Sequence, residues 1–509
     1  MKHQGESHAM SEQFILVIDE GTTSTRAMLF APDGECRGIV QKEFTQHYPR
    51  PGWVEHDARE IWDFTLHCAR TCVDKVGGPG AIAAIGITNQ RETIVFWSKC
   101  TGEPLGPAIV WQDRRTAALC AGMKEKGYEP PLQERTGLLL DPYFSGSKIA
   151  WAMASWPQLK EAGDDLAVGT IESWLVWKLT GGLHVTDATN AARTALMDIR
   201  KGMWDAGFLD LFHVPPGALP EIVDCAGRYG TTLPDLFGGP IPITGMAGDQ
   251  QAASIGQACL SPGDSKATYG TGAFILTNTG AHPQPSHHRL LTTIAWRLDG
   301  AMAYALEGSV FVAGSLIKWL RDSLGLIVTA AQSEELARSI PDSGGAVIVP
   351  ALTGLGAPHW RPDARASISG LSFATGRAQI VRAALEAMAH QSHDLMTAFA
   401  ADGAEWTRLR IDGGMSANDW LAQDLADMLR IEVERPAFVE TTALGAAMLA
   451  GIGCGMFGSL AEASAMRGAI DTFRPKDLGQ GREARLAAWR EALNAVIASP
   501  QGLRDTGTR

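Results

Sequence analysis

The 509 residues of this chain exceed what a single hydrophobic core ordinarily accommodates, which predicts two to four domains. With 45% hydrophobic and 20% charged residues the sequence is globular, and its 56 glycines and 26 prolines predict many tight turns. A net charge of -12 argues against a nucleic-acid-binding surface, since such surfaces need clustered lysine and arginine to displace counterions from phosphates.

The cysteines and the apolar segments exclude further classes of protein. The eight cysteines are scattered, without a CxxC pair or a histidine at zinc spacing, which indicates reduced thiols in a cytoplasmic protein. Residues 1–10, MKHQGESHAM, have no apolar segment and predict a disordered lead or an expression remnant, not a secretory signal. The most apolar window, residues 443–457, is too short to cross a bilayer, so it predicts a buried helix with its exit turn and no membrane insertion.

The chain opens with a predicted three-stranded meander. The apolar runs FILVID and AMLF flank a polar turn, and the turn APDG precedes a third run, GIVQKEF. A helical pattern follows over about residues 57–76, and then come two buried strands, AIAAIGIT and TIVFW. This alternation predicts an α/β fold in which helices cover a sheet.

A similar order of elements recurs in the second half of the chain. Residues 265–280 read as strand, Gly/Thr turn and strand, and AMAYAL and a helix containing SLIKWLRDSLG follow. Two copies of one architecture, each with a Gly/Thr turn, would face each other across a cleft and hold a triphosphate from both sides. We expect the boundary near residues 252–257.

The turn after the first strand, in DEGTTSTR at residues 19–26, has the composition of an anion-binding site. It is not a Walker A loop, which needs GxxxxGK[ST]. Gly21 lets the backbone approach a ligand closely, Arg26 offers a planar fork, and Asp19 can hold Mg²⁺ directly or through water. The groups that can point at one anion are the backbone N–H and hydroxyl groups of Thr22, Thr23 and Ser24. The alternative is a polar hairpin with a satisfied aspartate at its mouth.

Three further segments carry candidate substrate residues. Asp249, in GDQQAASIGQ, is either a general base for an attacking hydroxyl or the N-cap of an Ala-rich helix. Arg91 and Glu92 follow a strand, where they can donate to and accept from the hydroxyls of a polyol; the alternative is a surface ion pair. Trp111, in IVWQDRR, is an apolar wall for a short carbon chain or a core residue.

The segment LRIDGGMSAN is a candidate nucleotide-binding turn. It predicts a strand running into two glycines and a helix that begins at Ser416 or Asn418. Two glycines permit a flat ligand against the backbone, and a helix N-terminus attracts anions. A plain strand-to-helix turn has the same pattern, so this segment leaves both readings open.

In combination, these segments resemble the FGGY family of carbohydrate kinases, within the actin-like ATPase superfamily. The resemblance extends from about Phe14 to Trp489 and is to the glycerol-phosphorylating members. It implies two actin-like, ribonuclease H-like α/β domains facing each other across a central cleft, at residues 11–254 and 255–500. The motifs that carry it are GTTSTR, PGWVEHD, IGITNQRET, DPYFSGSK, GDQQAA, TYGTG, LTGLGAP and DGGMSAN.

What the resemblance implies is phosphoryl transfer from ATP, with Mg²⁺, to a terminal hydroxyl of glycerol, giving sn-glycerol 3-phosphate. Asp249 would be the general base, and Asp19 and Asp249 would serve the metal ion. The implied glycerol-binding residues are Arg91, Glu92, Trp111, Tyr143, Asp249, Gln250 and Phe274. The implied nucleotide-binding residues are Thr22, Thr23, Ser24, Arg26, Thr271, Gly314, Gly414 and Asn418. The resemblance also implies a cytoplasmic homo-oligomer, a dimer or a tetramer.

Two residues depart from the family pattern, and one segment bears on the choice of substrate. Glu20 stands where members commonly have glutamine, and it either joins the metal ion or points away. Lys318 replaces a glutamine expected near the nucleotide. Sugar kinases such as those for xylulose typically carry Met-His-Gly where this chain has NQRET, which favours glycerol.

Two alternatives remain at this point. The first is a kinase for another small polyol or ketose, since one changed pocket side chain can shift specificity on the same scaffold. The second is a non-catalytic nucleotide switch or interaction protein, because actin-like folds also serve as filaments and chaperones. Loss of the base would mark such a protein, and Asp249 is present in its full context.

We predict weak or absent inhibition by fructose 1,6-bisphosphate. Some bacterial relatives bind this sugar through a Gly-rich loop that contains arginine, whereas the corresponding residues 230–243, GTTLPDLFGGPIPI, contain neither arginine nor lysine. Binding a bisphosphate without a cation forfeits the charge-assisted hydrogen bonds. The check is an inhibition titration at neutral pH, and an inhibition constant in the micromolar range would refute the prediction.

Overall fold

The computed structural model describes residues 13–498, so the predicted disordered lead at residues 1–10 lies outside the described residues. Two units are present. The first comprises the residues up to Ala258, Trp296–Met302 and Thr441–Gly468. The second comprises Cys259–Ala295, Ala303–Glu440 and the residues from Ala469 onward.

The described residues form the following elements. The strands are β1 (Phe14–Glu20), β2 (Ser24–Phe30), β3 (Cys36–Glu43), β4 (Glu55–His56), β5 (Ile82–Asn89), β6 (Ile94–Ser98), β7 (Ala108–Ile109), β8 (Leu166–Thr170), β9 (Val185–Asp187), β10 (Met197–Asp198), β11 (Met203–Trp204), β12 (Glu221–Val223), β13 (Ala226–Thr231), β14 (Pro242–Gly248), β15 (Asp264–Tyr269), β16 (Ala273–Gly280), β17 (Leu291–Leu298), β18 (Ala301–Val310), β19 (Val347–Val349), β20 (Ser367–Ser369), β21 (Arg408–Asp412), β22 (Val433–Pro436) and β23 (Ile470–Phe473). The α-helices are α1 (Ala58–Lys75), α2 (Ala117–Glu125), α3 (Glu129–Thr136), α4 (Ser145–Ser155), α5 (Pro157–Ala162), α6 (Ile171–Thr180), α7 (Ala188–Ala191), α8 (Ala206–Leu211), α9 (Pro234–Phe237), α10 (Asp249–Gly256), α11 (Gly314–Asp322), α12 (Gln332–Arg338), α13 (Arg377–Ala401), α14 (Asp419–Leu429), α15 (Thr441–Cys454), α16 (Leu460–Ala463) and α17 (Gln480–Ala498).

The first unit is built on a six-stranded sheet with the order β13-β14-β5-β1-β2-β3. The first three strands of the chain form the predicted antiparallel meander, and β1, β5 and β14 run parallel to one another. β1 is buried almost throughout, as expected of a strand with helices on both faces. The predicted strand TIVFW is present as β6, but it belongs to a separate four-stranded sheet with β4, β7 and β8.

The helix predicted over residues 57–76 is α1, and its start is encoded locally. Asp57 is the N-cap, and its carboxylate accepts a hydrogen bond from the N–H of Arg59. The buried face of the helix consists of small and apolar side chains that contact β2 and β3 in the core of the first unit. The apolar spacing therefore predicted both the helix and the face it buries.

The apolar segment near residue 450 is the buried helix α15, as predicted. It lies across β14, β5 and β1 and alongside α10. Glycines permit this close approach, since a Cβ added at Gly445 would lie 1.8 Å from the carbonyl oxygen of Ala252, and one added at Gly86 would lie 2.5 Å from that of Ala446. The helix places α10 against the sheet.

The second unit repeats the strand arrangement of the first. Its seven-stranded sheet has the order β17-β18-β16-β15-β21-β22-β23. From β18 to β22 the successive pairings are antiparallel, antiparallel, parallel and parallel, the same succession as from β3 to β14 in the first unit. The similarity of the two halves that the turns suggested therefore extends to their sheets.

Neither unit is a single continuous stretch of the chain. The sequence predicts one boundary, near residues 252–257. Thr441–Gly468 belongs to the first unit, because α15 buries its apolar surface on that unit's sheet. A boundary drawn from turns and repeats along the chain cannot reveal a segment that returns to the first unit.

We predict that Gly445→Ala destabilises the first unit. The added methyl would overlap the backbone of α10, and such overpacking costs about 1–3 kcal/mol, with little room for relaxation because the obstacle is backbone. The measurement is the melting temperature from circular dichroism. Gly122→Ala is the matched control, because this helical glycine has no heavy atom within 4 Å of the added methyl and its replacement raises stability by about 0.4–1 kcal/mol. Equal shifts in both variants would contradict the packing argument.

Candidate functional site

The predicted polyol and metal residues of the first unit lie at one edge of its sheet. Glu20 at the end of β1 and Gly248 at the end of β14 both pair with Asn89 at the end of β5. Because these three strands are parallel, their carboxyl ends meet at the same edge, where ligands of open α/β sheets bind. Asp19, near the end of β1, and Asp249, directly after β14, therefore lie at a shared edge.

Asp249 is the first residue of α10 and is not its N-cap. The N-cap is Gly248, so the capping alternative for Asp249 is wrong. Its Oδ1 accepts a 2.7 Å hydrogen bond from the N–H of Gln250 and lies 3.1 Å from Nε of Arg91. The side chain of Asp249 is 33% exposed, whereas that of Arg91 is 2% exposed. A buried guanidinium thus orients a carboxylate that a ligand can reach.

Arg91 and Glu92 do not form a surface ion pair, because both side chains are buried. Nε of Arg91 is 4.0 Å from Oε1 of Glu92, which instead accepts a 2.6 Å hydrogen bond from Nε of Arg193. The backbone of Glu92 is left-handed, with φ 62°, a conformation that costs about 1–3 kcal/mol outside glycine. Strain of this kind, held by its surroundings, is concentrated at functional sites.

Trp111 and Tyr143 form an aromatic wall that contacts the turn after β1. Their ring centroids are 5.5 Å apart in an edge-to-face arrangement, and both side chains are partly exposed. Nε1 of Trp111 donates a 2.9 Å hydrogen bond to Oγ1 of Thr22. The structure therefore joins a predicted polyol residue to a predicted phosphate residue, and Trp111 is not merely a core residue.

The turn after β1 is a tight hairpin whose charged residues pair with each other. The N–H of Gly21 donates to the carbonyl of Ser24, and Thr23 at the tip is exposed. Arg26 faces Asp19 across the strands, and its Nη2 donates to Oδ2 of Asp19 at 2.6 Å. The arginine fork predicted for phosphate thus also neutralises the buried aspartate.

Glu20 points away from this edge and into the protein. Its Oε1 accepts hydrogen bonds from the hydroxyls of Thr25 and Thr65, and its side chain is fully buried. Burial raises the pKa of Glu20 to about 8, an effect that the two hydroxyls oppose and the charge of Asp19 reinforces. Of the two alternatives for Glu20, the structure supports the one without a metal contact.

A buried polar network supports the ends of β5 and β14. Nδ2 of Asn89 donates to Oε2 of Glu172 and to Oδ1 of Asn190, each at 3.0 Å. The N–H of Gly248, immediately before the candidate base, donates to Oγ1 of Thr189 at 2.9 Å. Desolvation raises the pKa of Glu172, and the neighbouring carboxylate of Asp187 raises it further. These bonds fix the backbone that presents Asp249.

Two buried cations next to the aromatic wall were not among the predicted site residues. Nζ of Lys148, in DPYFSGSK, donates to the carbonyls of Pro142 and Tyr143, and desolvation lowers its pKa to about 8. The guanidinium carbon of Arg193 lies 5.6 Å from the ring centroid of Tyr143 and 5.3 Å from that of Phe144. The available signal was weak: a single arginine within the largely uncharged run ATNAARTALM.

In the second unit, the hairpin between β15 and β16 meets the start of α11. The carbonyl of Thr271 accepts hydrogen bonds from the N–H groups of Ala313 and Ser315, and the N–H of Gly314 donates to the carbonyl of Gly270 at 2.8 Å. A Cβ at Gly314 would lie 2.5 Å from that carbonyl oxygen, so glycine is required for this approach. Thr271 and Gly314, both predicted nucleotide residues, are thus brought together.

The remaining predicted residues of the second unit occupy distinct positions. Gly414 begins a short 3-10 helix after β21, at the sheet edge that also carries the end of β15, and has open space where a Cβ would be. Asn418 is the N-cap of α14, as the motif predicted, and its Oδ1 accepts from the N–H of Leu421. Phe274 lies on β16 and is partly exposed, and Lys318 is exposed on α11.

The described residues contain no preassembled metal cluster. No group of three or more His, Cys, Asp or Glu side chains within residues 13–498 is arranged to hold a metal ion. All eight cysteines fall in this part of the chain, and none forms a disulfide there. In the same residues, no helix is both long and apolar enough to span a bilayer.

Comparison with known families and proteins gives consistent matches over both halves of the chain. The FGGY family of carbohydrate kinases matches through its N-terminal domain over residues 14–256 and its C-terminal domain over residues 265–454. The glycerol kinase of Methylobacterium nodulans is 51% identical over 496 residues, which cover 96% of this chain and 99% of that protein. The glycerol kinase of Rhodospirillum rubrum is 53% identical, covering 95% and 99%.

Solved structures show the same fold. The crystal structure of Plasmodium falciparum glycerol kinase with ADP matches with a TM-score of 0.91 and 36% sequence identity, covering 96% of this chain and 99% of that one. A ligand-bound xylulose kinase from Lactobacillus acidophilus matches with a TM-score of 0.86 at 22% identity, a likeness of fold alone.

We predict that Glu20→Gln changes the dependence of stability on pH. The raised pKa of Glu20 means that the folded state holds a proton that the unfolded state releases above about pH 4.5, so the parent loses stability as pH rises from there to about 8. A glutamine keeps the hydrogen bonds without titrating. The melting temperature of the variant relative to the parent should therefore rise over this window.

The matched control for this prediction is Glu35→Gln, because the side chain of Glu35 is 58% exposed at the surface of the same unit. Its melting temperature should follow that of the parent at every pH. A Glu20→Gln curve parallel to the parent curve from pH 5 to 8 would show that Glu20 is ionised in the folded protein.

Proposed function

Because the chain belongs to the FGGY family of carbohydrate kinases, we propose that it transfers the γ-phosphoryl group of ATP to a terminal hydroxyl of glycerol. The products are sn-glycerol 3-phosphate and ADP. The observation that carries the proposal is the contact between Arg91 and Asp249 beside the buried Glu92, at the edge where the parallel strands end. The identity of about half of all residues with bacterial glycerol kinases supports glycerol as the substrate.

The polyol-binding part of the proposal follows from the hydrogen-bonding groups of the first unit. Arg91 donates hydrogen bonds and Glu92 accepts them, so together they match the hydroxyls of a polyol, each of which donates and accepts. The partly exposed rings of Trp111 and Tyr143 cover the carbon chain. Gln250 adds an amide beside the base, and the role of Phe274 in glycerol binding stays a prediction.

Asp249 acts in this proposal as the general base. Oδ1 contacts Arg91 and accepts a hydrogen bond from the N–H of Gln250, while Oδ2 accepts a longer hydrogen bond, 3.3 Å, from the side-chain amide of Gln250. Oδ2 takes the proton of the attacking glycerol hydroxyl. The hydroxyl oxygen bonds to the γ-phosphorus of ATP while the bond from that phosphorus to the leaving ADP oxygen breaks. Positioned bases of this kind contribute about 10²- to 10⁴-fold in rate.

The nucleotide part of the proposal rests on backbone turns, since both hairpins offer N–H and hydroxyl groups. The proposed phosphate contacts in the first unit are Thr22, Thr23, Ser24 and Arg26. The proposed nucleotide residues of the second unit are Thr271, Gly314, Gly414 and Asn418. Mg²⁺ normally binds one or two carboxylates together with phosphates and water, so Asp19 and Asp249 fit it without a dedicated cage. When bound, the ion would neutralise phosphate charge. A cytoplasmic location and a homo-oligomeric state, dimer or tetramer, stay predictions.

The test of the proposal is ADP release from ATP with glycerol, comparing the parent with Asp249→Asn. We expect kcat to fall about 10²- to 10⁴-fold, because asparagine keeps the acceptor for the N–H of Gln250 but does not take a proton. The melting temperature is measured alongside and should fall, because the substitution removes the charged partner of the buried Arg91. Turnover within a few-fold of the parent would mean that another group removes the proton.

The substrate is tested separately, with glycerol, erythritol, dihydroxyacetone and xylulose as acceptors for the parent chain. The proposal predicts the highest kcat/KM for glycerol, because the Arg91–Glu92 pair and the two rings suit a short polyol. A higher kcat/KM for xylulose would move the assignment to a ketose kinase while leaving the role of Asp249 intact.

A further inference from the structure

Arg193 lies behind the polyol residues and belongs to none of the recognised motifs. Its side chain is completely buried, and its Nε donates a 2.6 Å hydrogen bond to Oε1 of Glu92, which is also buried. A carboxylate removed from water requires a compensating charge, and Arg193 supplies it. The buried Glu92 carboxylate is therefore paired with the buried guanidinium of Arg193.

The distances also show which carboxylate lies closer to Arg91. Nε of Arg91 is 3.1 Å from Oδ1 of Asp249 and 4.0 Å from Oε1 of Glu92, so its ion pair with Asp249 is the closer of the two. Oε1 of Glu92 instead accepts a hydrogen bond from Arg193. Without Arg193, Glu92 would compete with Asp249 for Arg91, and the base would lose the group that orients it.

The surroundings of the pair restrict its movement. Glu92 is held in a left-handed backbone conformation, and its carbonyl accepts a 3.0 Å hydrogen bond from Oγ of Ser145. The guanidinium of Arg193 lies within 6 Å of the rings of Tyr143 and Phe144, within the range of a cation–π contact. One buried arginine thus contacts both an acceptor for hydroxyls and a wall of the polyol site.

We propose that Arg193 is a positioning residue for polyol recognition: it fixes the side chain of Glu92 as an acceptor for one substrate hydroxyl and leaves Arg91 to Asp249. The inference rests on the proposed function. It differs from a purely structural role, in which any side chain that restores packing and neutrality would serve equally well.

The experiment compares the parent with Arg193→Met, Glu92→Gln and the double variant. For each, kcat and KM are measured with glycerol, propane-1,2-diol and propane-1,3-diol, and KM is measured for ATP. Each diol lacks one hydroxyl of glycerol, so the ratio of kcat/KM for glycerol to that for each diol reports recognition of the missing hydroxyl. The melting temperature is recorded for all variants.

We expect both single variants to lower one of these ratios about tenfold, the same ratio in each case. The double variant should lower it no further, because the two residues act as one unit. KM for ATP should stay within about twofold, as the contacts involved are on the polyol side. Arg193→Lys, which keeps the charge but not the planar fork, should retain the fold and lower the ratio less than Arg193→Met.

The control is Arg115→Met, since Arg115 is another completely buried arginine of the first unit, paired with Asp113 and enclosed by two tryptophan rings. The Arg115→Met variant should have a lower melting temperature than the parent and the same two glycerol-to-diol ratios of kcat/KM. Two outcomes would overturn this inference but not the proposed function. In the first, the parent phosphorylates glycerol and the Arg193 variants have the same kcat/KM ratios as the parent. In the second, the effects of the two single variants add in the double variant. A parent that does not phosphorylate glycerol overturns the proposed function and this inference with it.

Discussion

The arrangement at the sheet edge of the first unit depends on how two buried arginines are shared between two carboxylates. Glu92 is bonded to Arg193, and Asp249 is in contact with Arg91. Buried charges are tolerated only when they are paired, so this division is fixed by the cost of any other pairing. Its consequence is a buried carboxylate suited to hydroxyl recognition beside a reachable carboxylate suited to proton transfer.

The sheet explains how residues distant in sequence arrive at this edge. Parallel pairing of β1, β5 and β14 aligns their carboxyl ends, so the turn after β1, the residues Arg91 and Glu92, and Asp249 follow three neighbouring strands. The glycine contacts of α15 then hold α10, and with it Asp249, against the same sheet. In the second unit, β15 and β21 are parallel neighbours, so the turns with Thr271 and Gly414 that follow them lie at the same sheet edge.

The sequence predicted the features that depend on local patterns. Apolar periodicity located the meander, α1 and α15, and the motifs located Asp249 and Asn418 at helix starts. It did not predict features that depend on long-range packing: the return of Thr441–Gly468 to the first unit, the inward direction of Glu20 and the partnership of Arg193 with Glu92. Arg193 is 101 residues from Glu92, and no spacing rule connects them.

The most direct test of this account follows the phosphorus nuclei during a reaction of the full chain with ATP, Mg²⁺ and glycerol. Phosphorus NMR should show sn-glycerol 3-phosphate and ADP forming in equal amounts, with inorganic phosphate at the level of a sample without glycerol. In the proposed reaction, the paired carboxylates direct the phosphoryl group to a bound polyol hydroxyl. ADP accompanied by inorganic phosphate alone, or no turnover at all, would contradict it.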